Sequence, residues 1–274
     1  MARWLADRYQ VPEAAVGYAG MKDKHAVTEQ WFSVHTPLDA DVLPRREGVR
    51  LCAASRHRRK LRRGRLAGNR FRVRLRNVVE TGWSERLAAV GGGGVPNYFG
   101  PQRFGSDNLE RAQTWLEQRR RRREGGFRTG LYLSVLRSFL FNEVLAMRVR
   151  SGTWNRLLPG DVAMPLPSCR GGDADRGSPG EVPSGPLWGR GRSPAGGEAL
   201  ELERAALASH ATLCDGLEHA GLAQERRSLV LKPVDLHWQA EEGGLELTFA
   251  LAPGGYATTL LAEVFDLGAP GERP

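Results

Sequence analysis

The chain has 274 residues, of which 41% are hydrophobic, so it can form a packed core and is not a wholly disordered protein. Its formal net charge of +9 and its pI near 10.1 suit a polyanionic partner, or equally a generally basic proteome. The three cysteines lie far apart in sequence, which argues against a disulfide framework and for a reducing compartment.

The first part of the chain predicts one helix and two strands. A short helix is expected over residues 2–10, because apolar side chains recur on one face, and Pro12 ends it. Residues 27–35 are rich in Trp, Phe, Val and Thr, which predicts a strand, and a second short strand is expected over residues 49–54.

Between this helix and the first strand, residues 17–24 read Gly-Tyr-Ala-Gly-Met-Lys-Asp-Lys. Asp23 therefore lies between Lys22 and Lys24, just after a turn of small residues, and flanking cations favour the ionised form of a carboxylate. An ionised, fixed aspartate can act as a nucleophile or a base. An aspartate close to Gly and Lys is more often a turn residue, so these residues alone leave both interpretations open.

The segment 56–76 carries eleven lysine and arginine side chains and no acidic residue. In its second half Phe71, Val73 and Leu75 alternate with four arginines, which predicts a strand with one apolar and one cationic face. A solvated surface is the usual explanation for scattered charge. Because the run contains no acid to offset the repulsion between its cations, we favour contact with a phosphate backbone.

The rest of the chain predicts helices in the middle and strands near the end. We expect helices from about residue 107, over 131–149 and over 198–220, and strands over 229–231, 235–240 and 245–251. Loops are expected at the glycines 91–94 and over 165–198, the second docked by Leu187 and Trp188. The order of strands, helices and strands suits an α+β domain with a mostly helical insertion.

Several kinds of chemistry find no support in the sequence. It contains no nucleotide-binding loop, no nucleophile elbow and no zinc-ligand spacing, and its six histidines are dispersed. We therefore expect no metal and no cofactor, and a reaction performed by one carboxylate. No apolar run approaches the length of a membrane span and the start has no signal-peptide pattern, so we expect a cytoplasmic protein without a membrane partner.

The segment around Asp23 resembles the Gly-Tyr-Ala-Gly-x-Lys-Asp-Lys signature of the TruD family of tRNA pseudouridine synthases. Other segments resemble later family motifs in the same order along the chain. They are 60–64 (Lys-Leu-Arg-Arg-Gly) with 68–71 (Gly-Asn-Arg-Phe), 96–105 (Pro-Asn-Tyr-Phe-Gly-Pro-Gln-Arg-Phe-Gly), 185–189 (Gly-Pro-Leu-Trp-Gly) and 254–258 (Gly-Gly-Tyr-Ala-Thr). Collinear matches over nearly the whole chain are hard to obtain by accident.

The resemblance implies roles for particular residues. Asp23 matches the catalytic residue, and Asn69 matches a residue that contacts the substrate and helps to hold the catalytic loop. Phe71 matches the aromatic that lies against the target base, and Tyr256 matches one that lines the same pocket. The alternation of residues 70–76 places Phe71 on the apolar face of its strand, and both roles are compatible at a cavity wall. The cations expected to contact RNA are Lys22, Lys24, Lys60, Arg62, Arg63, Arg70 and Arg103. For Arg103 a role at the junction between domains fits equally well.

The resemblance also implies an α+β fold. The expected pseudouridine synthase catalytic domain covers residues 1–99 and 231–274, with a mixed, largely antiparallel sheet, and an inserted, mostly helical α/β TRUD domain covers 100–230. The partner would be tRNA, the substrate a uridine at position 13, and the protein a monomer. Family members normally carry a strand segment before the helix at residue 2, so the alternative is a catalytically impaired RNA-binding remnant that lacks this segment.

Overall fold

A computed structural model of the chain describes residues 1–23, 26–37, 46–79, 81–119, 127–169 and 180–268. The chain divides into two compact units, Met1–Ala67 and Gly68–Pro274. Every strand pair in the described ranges is antiparallel, apart from one isolated parallel bridge between Arg190 and Ala223. Together with the helices this confirms the predicted α+β class.

Strands and helices follow one another in groups along the chain, and the longest helix, α5, lies in its middle. The helices are α1 (Ala2–Arg8), α2 (Trp83–Gly93), α3 (Pro101–Phe104), α4 (Asn108–Arg119), α5 (Phe127–Arg150), α6 (Gly197–Leu207), α7 (Ala211–His219) and α8 (Ala257–Ala262). The strands are β1 (Val16–Tyr18), β2 (Phe32–Val34), β3 (Asn69–Arg76), β4 (Val95–Pro96), β5 (Ala163–Pro165), β6 (Glu181–Leu187), β7 (Glu225–Ser228), β8 (Val230–Leu231), β9 (Val234–Glu241) and β10 (Gly244–Leu251).

The first unit contains α1 and a two-stranded sheet. Strand β1 pairs with β2, so that Tyr18 lies opposite Phe32. Leu5, Ala6 and Val16 form a small buried cluster between the helix and the strands. The predicted helix and the first predicted strand are therefore confirmed, although both are shorter than expected. The second predicted strand is wrong, because residues 49–54 contribute only an isolated bridge at Val49.

The second unit contains a three-stranded sheet in the order β3-β10-β9. The central strand β10 is the most buried, with Leu245, Leu247 and Leu251 almost inaccessible to solvent. Helices α2 and α8 contribute Leu87, Leu260 and other apolar side chains to the same cluster. The alternation of residues 70–76 is observed in β3, whose burial switches between half-buried and exposed at every residue.

A second cluster in this unit is helical. Leu136, Leu140 and Val144 of α5 are fully buried or nearly so, against apolar side chains of α4, α6 and α7. By length and composition α5 passes as a candidate membrane span, contrary to the expectation from the sequence. The burial of these side chains in the helical cluster accounts for its apolar composition.

The sheet cluster and the helical cluster match the domain division expected from the sequence, whereas a third cluster crosses it by packing Tyr98 and Phe99 against Phe141 and Leu145. The sheet cluster draws its residues from before residue 100 and after residue 230, whereas the helical cluster draws them from residues 104–222. Both belong to one compact unit, so the division into 1–99 with 231–274 and 100–230 stays a prediction.

Two predicted loops are wrong in part. The glycines 91–93 are the last turn of α2, and only Gly94 lies outside it. Within 165–198, residues 181–187 form β6, which pairs with β5 and β7. Docking by Trp188 is confirmed, since its indole Nε1 donates to Glu218 at 3.0 Å and its ring packs against the helical cluster.

A buried ion pair follows the end of α5. The guanidinium of Arg148 donates to both carboxylate oxygens of Asp161, at 3.0 and 2.9 Å, and each side chain is only 2% exposed. The same guanidinium donates to the carbonyl oxygens of Thr153 and Arg156, so this one pair holds the whole connection after the helix.

Asp161→Asn should lower the free energy of unfolding by about 3–5 kcal/mol, because it leaves a buried guanidinium without its counter-charge. The exposed Asp107–Arg111 pair provides a matched control, and Asp107→Asn should change stability little. Urea unfolding of both variants measures the difference. Equal stabilities of the two variants would contradict the assignment.

Candidate functional site

The segment that carries Asp23 leaves strand β1 as an irregular stretch. Residues 19–23 follow Tyr18 directly, and the side chains of Lys22 and Asp23 are exposed. Lys24 lies outside the described residues. An exposed carboxylate is accessible to a ligand from solution, as a nucleophile or base has to be.

The second expected motif, residues 60–64, packs along the first. The Leu61 backbone N–H donates to Ser33 Oγ at 2.9 Å, and the Gly64 N–H donates to the Ala19 carbonyl at 2.8 Å. Gly17 permits this approach, since a Cβ there would lie 2.7 Å from Ser33 Oγ and would also clash with the Leu61 carbonyl oxygen. Segment 60–64 thus fixes the start of the Asp23 segment from one side.

Two of the expected RNA-binding cations in this unit also have partners within it. Lys60 Nζ donates to the Ala14 carbonyl. Arg63 Nη2 donates to Tyr18 Oη at 2.8 Å, and its guanidinium lies 5.3 Å from the centre of the Tyr18 ring. Arg62 is exposed and forms no ion pair with any residue in the described ranges, so it is the best placed of the three to meet a phosphate.

In the second unit, Asn69 and Phe71 lie on the half-buried face of β3. Phe71 is directly opposite Phe249 of β10, and the two rings are stacked with their centres 5.4 Å apart. The predicted packing of Phe71 on the apolar core is therefore confirmed. Because Phe71 is only half-buried, part of its surface stays accessible.

The arginines on the cationic face of β3 have acidic partners, contrary to the expectation from the sequence. Arg70 pairs with Asp235 at 3.4 Å, Arg72 with Glu246 at 2.9 Å and Arg74 with Glu241 at 2.8 Å. The acids lie on β9 and β10, which the sequence of segment 56–76 alone cannot reveal. The hydrogen bond and charge of Arg72 lower the pKa of Glu246 and thereby keep it ionised. The argument from uncompensated repulsion is wrong for this strand.

Tyr256 lies directly after the turn that follows β10. Its ring meets the ring of Phe99 edge to face, with the centres 6.0 Å apart. A Cβ on Gly100 would lie 3.2 Å from Thr258 Oγ1 and 3.5 Å from the Tyr256 ring, so the chain passes close to this turn. The motifs at 96–105 and 254–258, separated by about 150 positions in sequence, are therefore in contact.

Arg103 belongs to the same region. Its guanidinium donates to Ser138 Oγ at 3.3 Å and to Ser134 Oγ, both on α5, and lies 5.9 Å from the centre of the Phe99 ring. These contacts favour the structural role considered for Arg103. Contact of Arg103 with RNA stays a prediction.

Sequence analysis did not identify Arg227, which lies at the centre of this region. Its guanidinium is 4.1 Å from the centre of the Phe99 ring, and Nη2 donates to Asn97 Oδ1 at 2.6 Å and to the Gly254 carbonyl at 3.0 Å. Burial and, to a lesser extent, the charge of Arg103 lower its pKa to about 10, partly offset by Tyr256. Arg227 therefore stays protonated at neutral pH. The only signal in the sequence is a pair of arginines directly before an apolar strand.

Metal chemistry finds no candidate ligands in the described part of the chain, where no group of three or more His, Cys, Asp or Glu side chains is placed to hold an ion. Of the residues expected at the site, Asp23 lies in the first unit and Asn69, Phe71 and Tyr256 in the second.

Comparison with known proteins gives a consistent result. The family profile of tRNA pseudouridine synthase D (TruD) matches residues 1–113 and 129–264. A tRNA pseudouridine synthase D from Methylococcus capsulatus is 46% identical over 99% of this chain and 81% of its own length. One from Aeromonas salmonicida is 40% identical over 96% of this chain and 79% of its own length.

A solved structure supports the fold independently. A candidate tRNA pseudouridine synthase D (TruD) from Methanosarcina mazei superimposes with a TM-score of 0.67, covering 96% of this chain and 84% of its own. Because the sequences are only 20% identical, this similarity concerns the fold alone.

Gly17→Ala should destabilise the first unit by about 1–3 kcal/mol, because the added methyl group forces segment 60–64 away from β1. Gly20→Ala in the same motif is the control, since a Cβ at Gly20 meets no atom within 4 Å. Hydrogen exchange at the amides of Leu61 and Gly64 measures the effect. The same protection in both variants would contradict the close approach at Gly17.

Proposed function

The chain belongs to the tRNA pseudouridine synthase D (TruD) family, and we propose on that basis that it isomerises uridine to pseudouridine in tRNA. The observation that supports this most directly is the exposed Asp23, in a segment whose start at Ala19 accepts a hydrogen bond from segment 60–64. The finer assignment to uridine 13, implied by the resemblance, is part of the proposal.

The reaction exchanges one bond for another. The glycosidic bond between N1 and C1′ breaks, the uracil turns, and C5 bonds to C1′, while the proton lost from C5 is balanced by one gained at N1. The product is an isomer of the substrate, so the reaction is redox-neutral and consumes no ATP. Asp23 would either attack the nucleoside or remove a proton from the ribose.

The target base has to leave its stack before Asp23 can act on it, which costs about a few kcal/mol. Phe71 and Tyr256 would offset this cost by stacking, a contribution of about 1–3 kcal/mol per base in comparable systems. Asn69 begins the strand that carries Phe71 and would contact the same nucleotide.

The cations expected to bind RNA differ in their availability. Arg62 is exposed and without an ion pair in the described ranges, whereas Arg70 is paired with Asp235 and Arg103 is bound to α5. Lys60 and Arg63 donate to Ala14 and Tyr18, respectively, yet both remain exposed. We therefore propose that phosphate contacts concentrate on Lys22, Lys24 and segment 60–64 rather than on the ion-paired face of β3.

Asp23→Asn should reduce pseudouridine formation by on the order of 10⁴-fold or more, since it removes the only proposed reacting group, while tRNA binding persists. Asp7→Asn, at another exposed aspartate of the same unit, is the matched control and should leave the activity unchanged. Pseudouridine mapping on a tRNA transcript, together with a binding titration, measures both. Full conversion by Asp23→Asn would refute the assignment.

Arg62→Gln should weaken tRNA binding and reduce the slope of log K against log salt by roughly 0.7–0.9, the contribution of one phosphate contact. Arg72→Gln removes the same charge from an arginine paired with Glu246, and we expect a smaller change. Binding titrations at several KCl concentrations give the slopes. An unchanged slope for Arg62→Gln, or an equal change for Arg72→Gln, would count against the proposed division of cations.

A further inference from the structure

Among the described residues, the guanidinium of Arg227 has no negative partner. Its hydrogen bonds to these residues all run from Nη2 to neutral oxygens, namely Asn97 Oδ1, the Asn97 carbonyl and the Gly254 carbonyl. No carboxylate of the described residues lies within ion-pair distance of it. Charges removed from solvent in proteins are normally paired, so this arrangement is incomplete in electrostatic terms.

Donors on Arg227 are also unused. Nε is buried and forms no hydrogen bond, and Nη1 forms none with any residue in the described ranges. Beside Nη1 the chain carries Gly254, whose φ is +85° and where a Cβ would lie 3.2 Å from Nη1. A glycine at this position keeps the space next to Nη1 free of any side chain.

A third unused donor lies near the start of helix α8, four residues after Gly254. Thr258 Oγ1 is buried without a hydrogen-bond partner among the residues of the structure, and it lies beside Gly100 and the Tyr256 ring. Buried hydroxyl groups almost always have a partner, so the Thr258 hydroxyl is available to donate to a ligand.

The surrounding charge favours an anion. The guanidinium groups of Arg103 and Arg227 both lie beside the Phe99 ring, and the positive charge of Arg103 lowers the pKa of Arg227. Arg103 donates to two serine hydroxyl groups of α5 and has no carboxylate partner in the described ranges either. Two guanidinium groups around one ring, without an acid, form a positively charged position.

We propose that Arg227 and Thr258 bind a phosphate of the tRNA strand at or directly next to the target uridine. This inference rests on the proposed function. Uracil is neutral, so the phosphates are the only anionic groups that a nucleotide stacked against Tyr256 would bring to this position. Arg227 offers the charged N–H donors of Nη1, which suit phosphate oxygens, and Thr258 offers a hydroxyl donor.

Single methylphosphonate linkages test the proposal. In each of them a methyl group replaces the charged non-bridging oxygen of one phosphate, so that the linkage is neutral. The substrates are tRNAs carrying this change 5′ or 3′ of the target uridine, next to an unmodified tRNA. On unmodified tRNA, Arg227→Gln should raise KM about 10- to 100-fold, with a smaller effect on kcat. With the wild-type protein, one of the two linkages should produce a loss of similar size.

The combination of variant and linkage is decisive. If Arg227 contacts that phosphate, the neutral linkage should not weaken the activity of Arg227→Gln any further, because this variant already lacks the interaction with the phosphate charge. Losses that multiply, or a wild-type protein indifferent to both linkages, would overturn the proposal. A wild-type protein that forms no pseudouridine in any tRNA would instead refute the proposed function.

A second variant covers the case in which Arg227→Gln does not fold. Thr258→Val removes only a hydroxyl without a protein partner, so it should fold normally and show the same dependence on the linkage with a smaller loss, about 3- to 10-fold. Thr259→Val on the same helix is the control, because the Thr259 hydroxyl already donates to the Tyr98 carbonyl. Equal dependence on the linkage in both threonine variants would contradict the assignment of Thr258.

Discussion

The antiparallel register between β3 and β10 is the constraint on which the proposed substrate surface depends. It pairs strands about 175 positions apart in sequence and sets Asn69 opposite Leu251 and Phe71 opposite Phe249. Because the turn to Tyr256 follows β10 directly, the beginning of β3 lies beside the segment that leads to this tyrosine. A slip of one residue would turn Phe71 to the solvent face and an arginine towards the core.

Close approaches of backbone segments hold the other parts of the site in place. In the first unit, Gly17 allows the close approach of segment 60–64, whose Gly64 donates to Ala19 directly after β1. In the second unit, Arg227 joins Asn97 to the turn at Gly254 and stacks on Phe99. Each arrangement connects motifs that are distant in sequence, which explains why the family signature is spread over nearly the whole chain.

The sequence predicts an element well where the periodicity of its apolar residues identifies its buried face. It predicts side-chain contacts poorly where the partner residue lies on a strand distant in sequence. The alternation of residues 70–76 predicts β3 and the packing of Phe71, but not that Glu246 and Glu241 would neutralise its arginines, since cross-strand neighbours depend on register. Strand β6 escapes prediction because it is rich in Pro and Gly. A glycine is required at position 185 because Leu229 and Phe141 leave no room for a side chain. Arg227 carries no periodic signal at all.

The central proposal is that the tRNA uridine modified by the protein lies against Phe71 and Tyr256. Photocrosslinking tests this most directly, using a tRNA with 4-thiouridine at the modified position and mass spectrometry of the crosslinked peptides. The account predicts crosslinks to peptides that contain Phe71 or Tyr256. Crosslinks confined to the exposed face of β9, or to helices α6 and α7, would contradict it.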